Sequence, residues 1–147
     1  MKKVVFVCLG NICRSPMAEF VMKSLTDEYE YEIESRATSS WEHGNPIHKG
    51  TQKIFKAHEI PYDSSKTSQQ ISKDDFERFD YIIGMDESNL LDLTRMCPQD
   101  QQHKLEAFAS EDVPDPWYTG DFDETYDRVL TGCQAWLTRL ENEARNG

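Results

Sequence analysis

Cys8-Leu9-Gly10-Asn11-Ile12-Cys13-Arg14-Ser15 decides how this chain is read. A cysteine and an arginine are separated by five residues, and a serine follows at once. Val4-Val5-Phe6-Val7 precedes the stretch, an apolar, β-branched run that reads as a buried strand. Ser15 and Pro16 close it, a good N-cap and a good first helical residue. The stretch is therefore a short loop between a strand end and a helix N-terminus. Backbone N–H groups point outward there, and the helix dipole favours negative charge. A phosphate fits such a loop, and a cysteine at its base is placed to attack phosphorus.

The residue types suit that chemistry. A thiol attacks as its thiolate, and the helix N-terminus, the Arg14 cation and the Ser15 hydroxyl all favour the anion. The planar fork of Arg14 holds two phosphate oxygens at once, which a lysine does not. Gly10 allows close backbone approach, and Asn11 tolerates the left-handed conformation of a tight cradle. The blander alternative is a turn and a capped helix, with Cys8 as a small buried hydrophobe. The strand–loop–helix setting favours the cradle.

Working outward, strands alternate with helices. Strands are expected over residues 3–7, 31–37, 81–84 and, weakly, 104–108. Helices are expected from Pro16 with Met17, Phe20, Val21 and Leu25 on one face, and over 48–58, 74–79 and 87–96. The last helix has the clearest period, through Tyr126, Val129, Leu130, Cys133, Trp136, Leu137 and Leu140. Residues 38–46 read as a loop, and 61–72 as a polar, irregular segment. This alternation predicts an α/β fold with a parallel sheet and helices on both faces. The length of 147 residues suits one domain, residues 1–147.

Composition excludes several classes. The net charge is −11, and residues 111–127 hold seven acids and no lysine or arginine, which argues against nucleic-acid and anionic-membrane partners. No apolar run of about eighteen residues exists to cross a membrane. Residues 1–9 mimic a signal peptide, but the apolar run is short and leads into a helix start rather than a cleavage site. No paired Cys or His spacing suggests a metal site, and neither GxxxxGK[ST] nor GxGxxG occurs. No cofactor is expected. Four cysteines, at 8, 13, 97 and 133, with no secretion signal, point to a reducing, cytoplasmic setting. Cys133 reads as packed core, and Cys97 is assigned no role.

Three blocks now carry a family resemblance. Val7-Cys8-Leu9-Gly10-Asn11-Ile12-Cys13-Arg14-Ser15-Pro16-Met17-Ala18-Glu19 resembles the signature of the low-molecular-weight protein tyrosine phosphatases. Asp112-Val113-Pro114-Asp115-Pro116-Trp117-Tyr118 resembles that family's general-acid loop. Phe79-Asp80-Tyr81-Ile82-Ile83-Gly84-Met85-Asp86-Glu87-Ser88-Asn89-Leu90 matches a more structural block between them. The resemblance implies four strands in the order 2-1-3-4. It implies metal-independent hydrolysis of protein phosphotyrosine, with a phosphotyrosine-containing protein as partner.

The roles it implies fall on named residues. Cys8 is the nucleophile. Arg14 and the loop of Leu9, Gly10, Asn11, Ile12, Cys13 and Ser15 bind phosphate. Asp115 is the general acid and then the base, with Asp112 as a disfavoured rival. Trp41, Trp117 and Tyr118 wall the entrance and grip a phenyl ring. Cys13 is implied as a partner for a reversible disulfide with Cys8. Tyr118 alone remains of the tyrosines that relatives phosphorylate, because Trp117 replaces the other. Many relatives join the loop asparagine and serine to a serine on strand two and to a histidine. Asn11, Ser15 and Ser35 match, but the histidine has no counterpart in Ser65-Lys66-Thr67-Ser68-Gln69-Gln70. Glu42 also departs, standing where relatives often carry His or Asn.

Two other readings use the same loop. A thiol-coupled arsenate reductase needs further cysteines to relay a disulfide, and neither Cys97 nor Cys133 sits in an obvious mobile pair. A non-catalytic phosphate-binding module needs no thiol, so the intact cysteine, arginine and aspartate argue against it.

Overall fold

Val4, Val5, Phe6 and Val7 have no solvent exposure at all, as the apolar run demands. They form the middle of β1 (Lys2–Cys8), a central strand of the sheet. The computed structural model describes residues 1–146. β1 pairs in parallel with β2 (Tyr31–Ala37) on one side and β3 (Tyr81–Gly84) on the other. β3 pairs in parallel with β4 (Leu105–Ala107), giving the order β2-β1-β3-β4.

Alternation along β1 builds two cores. Val4, Phe6 and Cys8 face α1 (Arg14–Leu25) and the long C-terminal helix, packing with Met17, Val21, Val129, Cys133 and Trp136. Val5 and Val7 face the other way, onto Phe76, Phe79 and Leu93. Those residues belong to α3 (Lys73–Arg78), its C-cap, and α4 (Glu87–Met96). Helices thus cover both faces, as a parallel sheet requires. α2 (Lys49–Ala57) adds Ile54 and Phe55 to the first core. The last two helices are α5 (Pro116–Thr119) and α6 (Phe122–Asn146). Gly132 on α6 lets that helix approach closely, since a Cβ there would stand 2.2 Å from the Phe108 ring.

Most expected elements stand, and the differences have local causes. α1 begins at Arg14 rather than Pro16, and Cys13 is its N-cap with no side-chain cap bond. Ser15 does not cap the helix, because its hydroxyl is engaged beneath the loop. α3 runs one residue earlier than expected, since Ser72 and Asp75 form a capping box that fixes its start. β4 is confined to three residues because Gln99–Lys104 coil into a 3₁₀ helix before it. α5 was not expected at all. Asp115 caps it by accepting the Trp117 N–H at 3.0 Å, and Pro116 occupies its first position.

Candidate active site

Cys8 ends β1, so its sulfur lies at the carboxyl edge of the sheet, where open α/β folds place ligands. The loop after it is held by its carbonyls. Cys8 O accepts from Thr38 N at 2.9 Å, and Leu9 O from the Ser39 hydroxyl at 2.8 Å. Gly10 O accepts from the Ser68 hydroxyl at 2.7 Å, and Ile12 O from His48 N at 2.9 Å. Asn11 takes the left-handed conformation with φ 56°, which its short amide tolerates.

The sulfur has two polar neighbours. Asn11 N donates to Cys8 Sγ at 3.3 Å. Ser15 Oγ lies 3.1 Å from the sulfur. Ser15 is wholly buried and does not line the cleft, so the structure places it under the sulfur rather than against a substrate. The Asn11 amide donates to Ser15 Oγ at 2.8 Å and to Ser35 Oγ at 2.9 Å. The network that the family resemblance implies is therefore present up to Ser35. Where the histidine is missing, Glu19 accepts the Ser35 hydroxyl at 2.6 Å and pairs with Lys66 at 3.4 Å.

Arg14 is 3% exposed and its guanidinium is fixed from three directions. Nη1 donates to Asp86 Oδ2 at 2.6 Å and to Val113 O at 3.0 Å. Nη2 stands 3.5 Å from Asp115 Oδ2. Burial opposes the charge, but Cys8, Asp86 and Asp115 more than offset it and hold the guanidinium above its ordinary range. Burial, helped by the charges of Cys8 and Asp115, pushes the Cys13 thiol well up, so it stays neutral.

The cleft over Cys8 has a volume of about 140 Å³. Cys8, Leu9, Gly10, Asn11, Ile12, Cys13 and Arg14 line its floor, and Asp115 stands at its wall. Trp41, Trp117 and Tyr118 line it with exposures of 78%, 58% and 78%, so these aromatics are open at the rim rather than packed down. Glu42 completes the lining. Asp112 is outside the cleft, where it accepts Glu87 N at 3.0 Å. Cys97 and Cys133 are buried in the two cores, away from the cleft. Among the described residues no group of three or more His, Cys, Asp or Glu is placed to hold a metal ion. No helix there is long and apolar enough to cross a membrane.

Sequence reasoning missed Asp86, Asn89, Glu19 and Lys66. A signal existed for Asp86: it follows β3, the strand beside β1, at the same edge of the sheet. Its Oδ1 also caps α4, accepting Asn89 N at 2.7 Å. With its amide turned to satisfy both ends, Asn89 donates to Asp86 at 3.0 Å and accepts Leu9 N at 3.3 Å. Asp86 thus ties α4 to Arg14, and Asn89 ties it to the loop.

The chain resembles known proteins over nearly its whole length. The family model described as low molecular weight phosphotyrosine protein phosphatase matches residues 3–146. A low molecular weight protein-tyrosine-phosphatase, PtpA of Staphylococcus aureus, is 43% identical over 98% of this chain and 97% of its own. The crystal structure of SP-PTP, from Streptococcus pyogenes, is 59% identical with a TM-score of 0.91, covering 95% of this chain and 93% of that one. The structure of a Drosophila arginine phosphatase is 32% identical with a TM-score of 0.85, covering 95% and 98%. On the match across nearly its whole length, the chain belongs to the low molecular weight phosphotyrosine protein phosphatase family.

Proposed function

We propose that this protein hydrolyses phosphotyrosine in protein substrates through a phosphocysteine on Cys8. The observation that carries the reading is the meeting of Cys8, Arg14 and Asp115 in one cleft under an open aromatic rim. The loop's carbonyls bond to neighbours, Leu9 N is held by Asn89 and Asn11 N faces the sulfur, and the other N–H groups of the loop serve the phosphoryl oxygens, with the Arg14 fork beside them. The Cys8 thiolate attacks phosphorus as the ester bond breaks, and Asp115 gives its proton to the departing phenolic oxygen. Water then attacks the phosphocysteine, its proton passes to Asp115, and phosphate leaves with the thiolate restored. Arg14 and the N–H groups stabilise charge on the equatorial oxygens in both steps.

Trp41, Trp117 and Tyr118 would hold the phenyl ring by stacking, while the deep floor disfavours the shorter phosphoserine. A reducing, cytoplasmic setting would keep Cys8 as a thiol. Arsenate reduction is disfavoured because Cys97 and Cys133, the cysteines outside the loop, are buried in the cores. A binding module is disfavoured because phosphate capture alone needs neither a thiol nor Asp115.

Phosphate release from matched phosphotyrosine, phosphoserine and phosphoarginine peptides tests the substrate. The reading expects a preference for phosphotyrosine of about a hundredfold or more in kcat/KM. A preference for phosphoarginine, or full turnover by Cys8→Ser, would overturn it.

A further inference from the structure

Glu19 lies on α1 beneath the loop, with its side chain 4% exposed. A carboxylate so deeply buried needs partners. Ser35 donates its hydroxyl to Oε1 at 2.6 Å, and Lys23 its ammonium to Oε2 at 2.7 Å. The third partner is Lys66, 3.4 Å from Oε1. Lys23 is 44% exposed, whereas Lys66 is 13% exposed and also donates to the Ser35 carbonyl at 2.9 Å. Lys66 therefore grips both the carboxylate and the backbone of the serine that the carboxylate orients.

From Ser35 the hydrogen bonds run in one direction. An ionised carboxylate only accepts, so the single Ser35 hydroxyl proton points to Glu19. The Ser35 oxygen is left to accept from Asn11 Nδ2 at 2.9 Å. The orientation of that amide is fixed, because Gln69 N donates to Asn11 Oδ1 at 3.1 Å and a backbone N–H has no other role. The second Nδ2 proton goes to Ser15 Oγ at 2.8 Å. In the structure the Cys8 thiol donates to Ser15 Oγ at 3.1 Å while the Ser15 hydroxyl donates to Arg36 O at 3.3 Å, and loss of the thiol proton would leave the Ser15 hydroxyl able to turn to the sulfur.

We propose that Lys66 is a positioning residue for the nucleophile: by holding the Glu19 carboxylate and the Ser35 backbone in place, it sets the direction of the Ser35–Asn11–Ser15 chain. The proposal rests on the reading of Cys8 as the attacking group. The segment carrying Lys66 is tied to the loop at a second point by Ser68, whose hydroxyl donates to Gly10 O. Lys23 pairs with the other carboxylate oxygen, Oε2, from the exposed side, and Arg36 is occupied by Asp75 at 3.2 Å and Glu34 at 2.9 Å, so neither takes the place of Lys66 at Oε1 and the Ser35 carbonyl.

The test compares Lys66→Met, Lys66→Arg and Glu19→Gln with the unaltered protein. Two quantities are read: the pH profile of Cys8 alkylation by iodoacetamide, and kcat and KM on a phosphotyrosine peptide. Thermal melting reports folding. Lys66→Met should move the alkylation profile to higher pH and lower kcat about fivefold, the effect of one weakened hydrogen bond, with KM within about twofold. Lys66→Arg should restore most of both. Should Lys66→Met fail to fold, Glu19→Gln carries the test, because an amide can donate to Ser35 and so removes the fixed direction; the same displacement is expected. A folded Lys66→Met or Glu19→Gln with the unaltered alkylation profile would overturn the proposal. Equal loss of kcat in the Met and Arg variants, without displacement, would mean packing alone and would also overturn it. Alkylation needs no substrate, so it reports on Lys66 even if phosphotyrosine is not hydrolysed.

Discussion

Arg14 Nη1 and Asp86 Oδ2 lie 2.6 Å apart, joining the first helix of the chain to the cap of α4. The pair fixes the guanidinium before any substrate arrives, so its ordering need not occur in the transition state. Asp86→Asn keeps a good N-cap for α4 but removes the charge that holds Arg14. It should lower kcat/KM about tenfold, with melting little changed. Steady-state kinetics alongside a melting curve check this. Unchanged kcat/KM would show that Val113 O and the loop suffice to place Arg14.

Asp115 and Asp112 are three residues apart but differently placed, one in the cleft wall and one capping the backbone of Glu87. Asp115→Asn should slow phosphoryl transfer from phosphotyrosine by roughly 10²–10⁴-fold. An activated aryl phosphate, whose leaving group needs less help, should suffer less. Single-turnover rates of the first step are required, because slow phosphocysteine hydrolysis would mask the contrast at steady state. Asp112→Asn should be mild. Equal loss on both leaving groups would make Asp115 a positional residue only.

Cys13 shares the loop with Cys8, but burial and the neighbouring charges of Cys8 and Asp115 raise its thiol. A raised thiol stays neutral at neutral pH, so Cys13 should resist alkylation there. Peptide mapping after brief iodoacetamide treatment at pH ~7 should find the label on Cys8. Cys13→Ser should leave that labelling in place. Preferential labelling of Cys13 would contradict the burial argument.

The open rim makes a separate prediction. Trp41→Ala and Trp117→Ala should each raise KM for phosphotyrosine peptides about two- to tenfold, matching the energy of an aromatic pair. Inhibition by inorganic phosphate should not change, since phosphate reaches only the floor. Parallel loss of phosphate inhibition would instead mean that these rings support the loop.

What the sequence made legible is what short-range patterning controls. β1 was readable because four consecutive apolar residues have no exposure on either face. The long helix was readable because Val129, Cys133, Trp136 and Leu140 recur on one buried stripe. Ser15 misled as a cap, since a serine before proline has the local chemistry of one. Only the fold reveals that Asn11, Arg36 and Cys8 compete for its hydroxyl. α5 was missed because a single turn has no periodicity, although Asp115-Pro116 offers its cap and first position. Lys66 lay in a polar, irregular stretch, and nothing local distinguishes a lysine that ends 3.4 Å from a buried carboxylate on α1.

Trapping the covalent intermediate tests the central claim most directly. Asp115→Asn, which should slow hydrolysis of the intermediate, is mixed with a ³²P-labelled phosphotyrosine peptide and quenched rapidly. Mapping should place the label on the peptide containing Cys8, with none on the Cys8→Ser, Asp115→Asn double variant. Label on Cys13 or another residue, or first-turnover phosphate release from the double variant at the rate of Asp115→Asn alone, would contradict a phosphocysteine at Cys8.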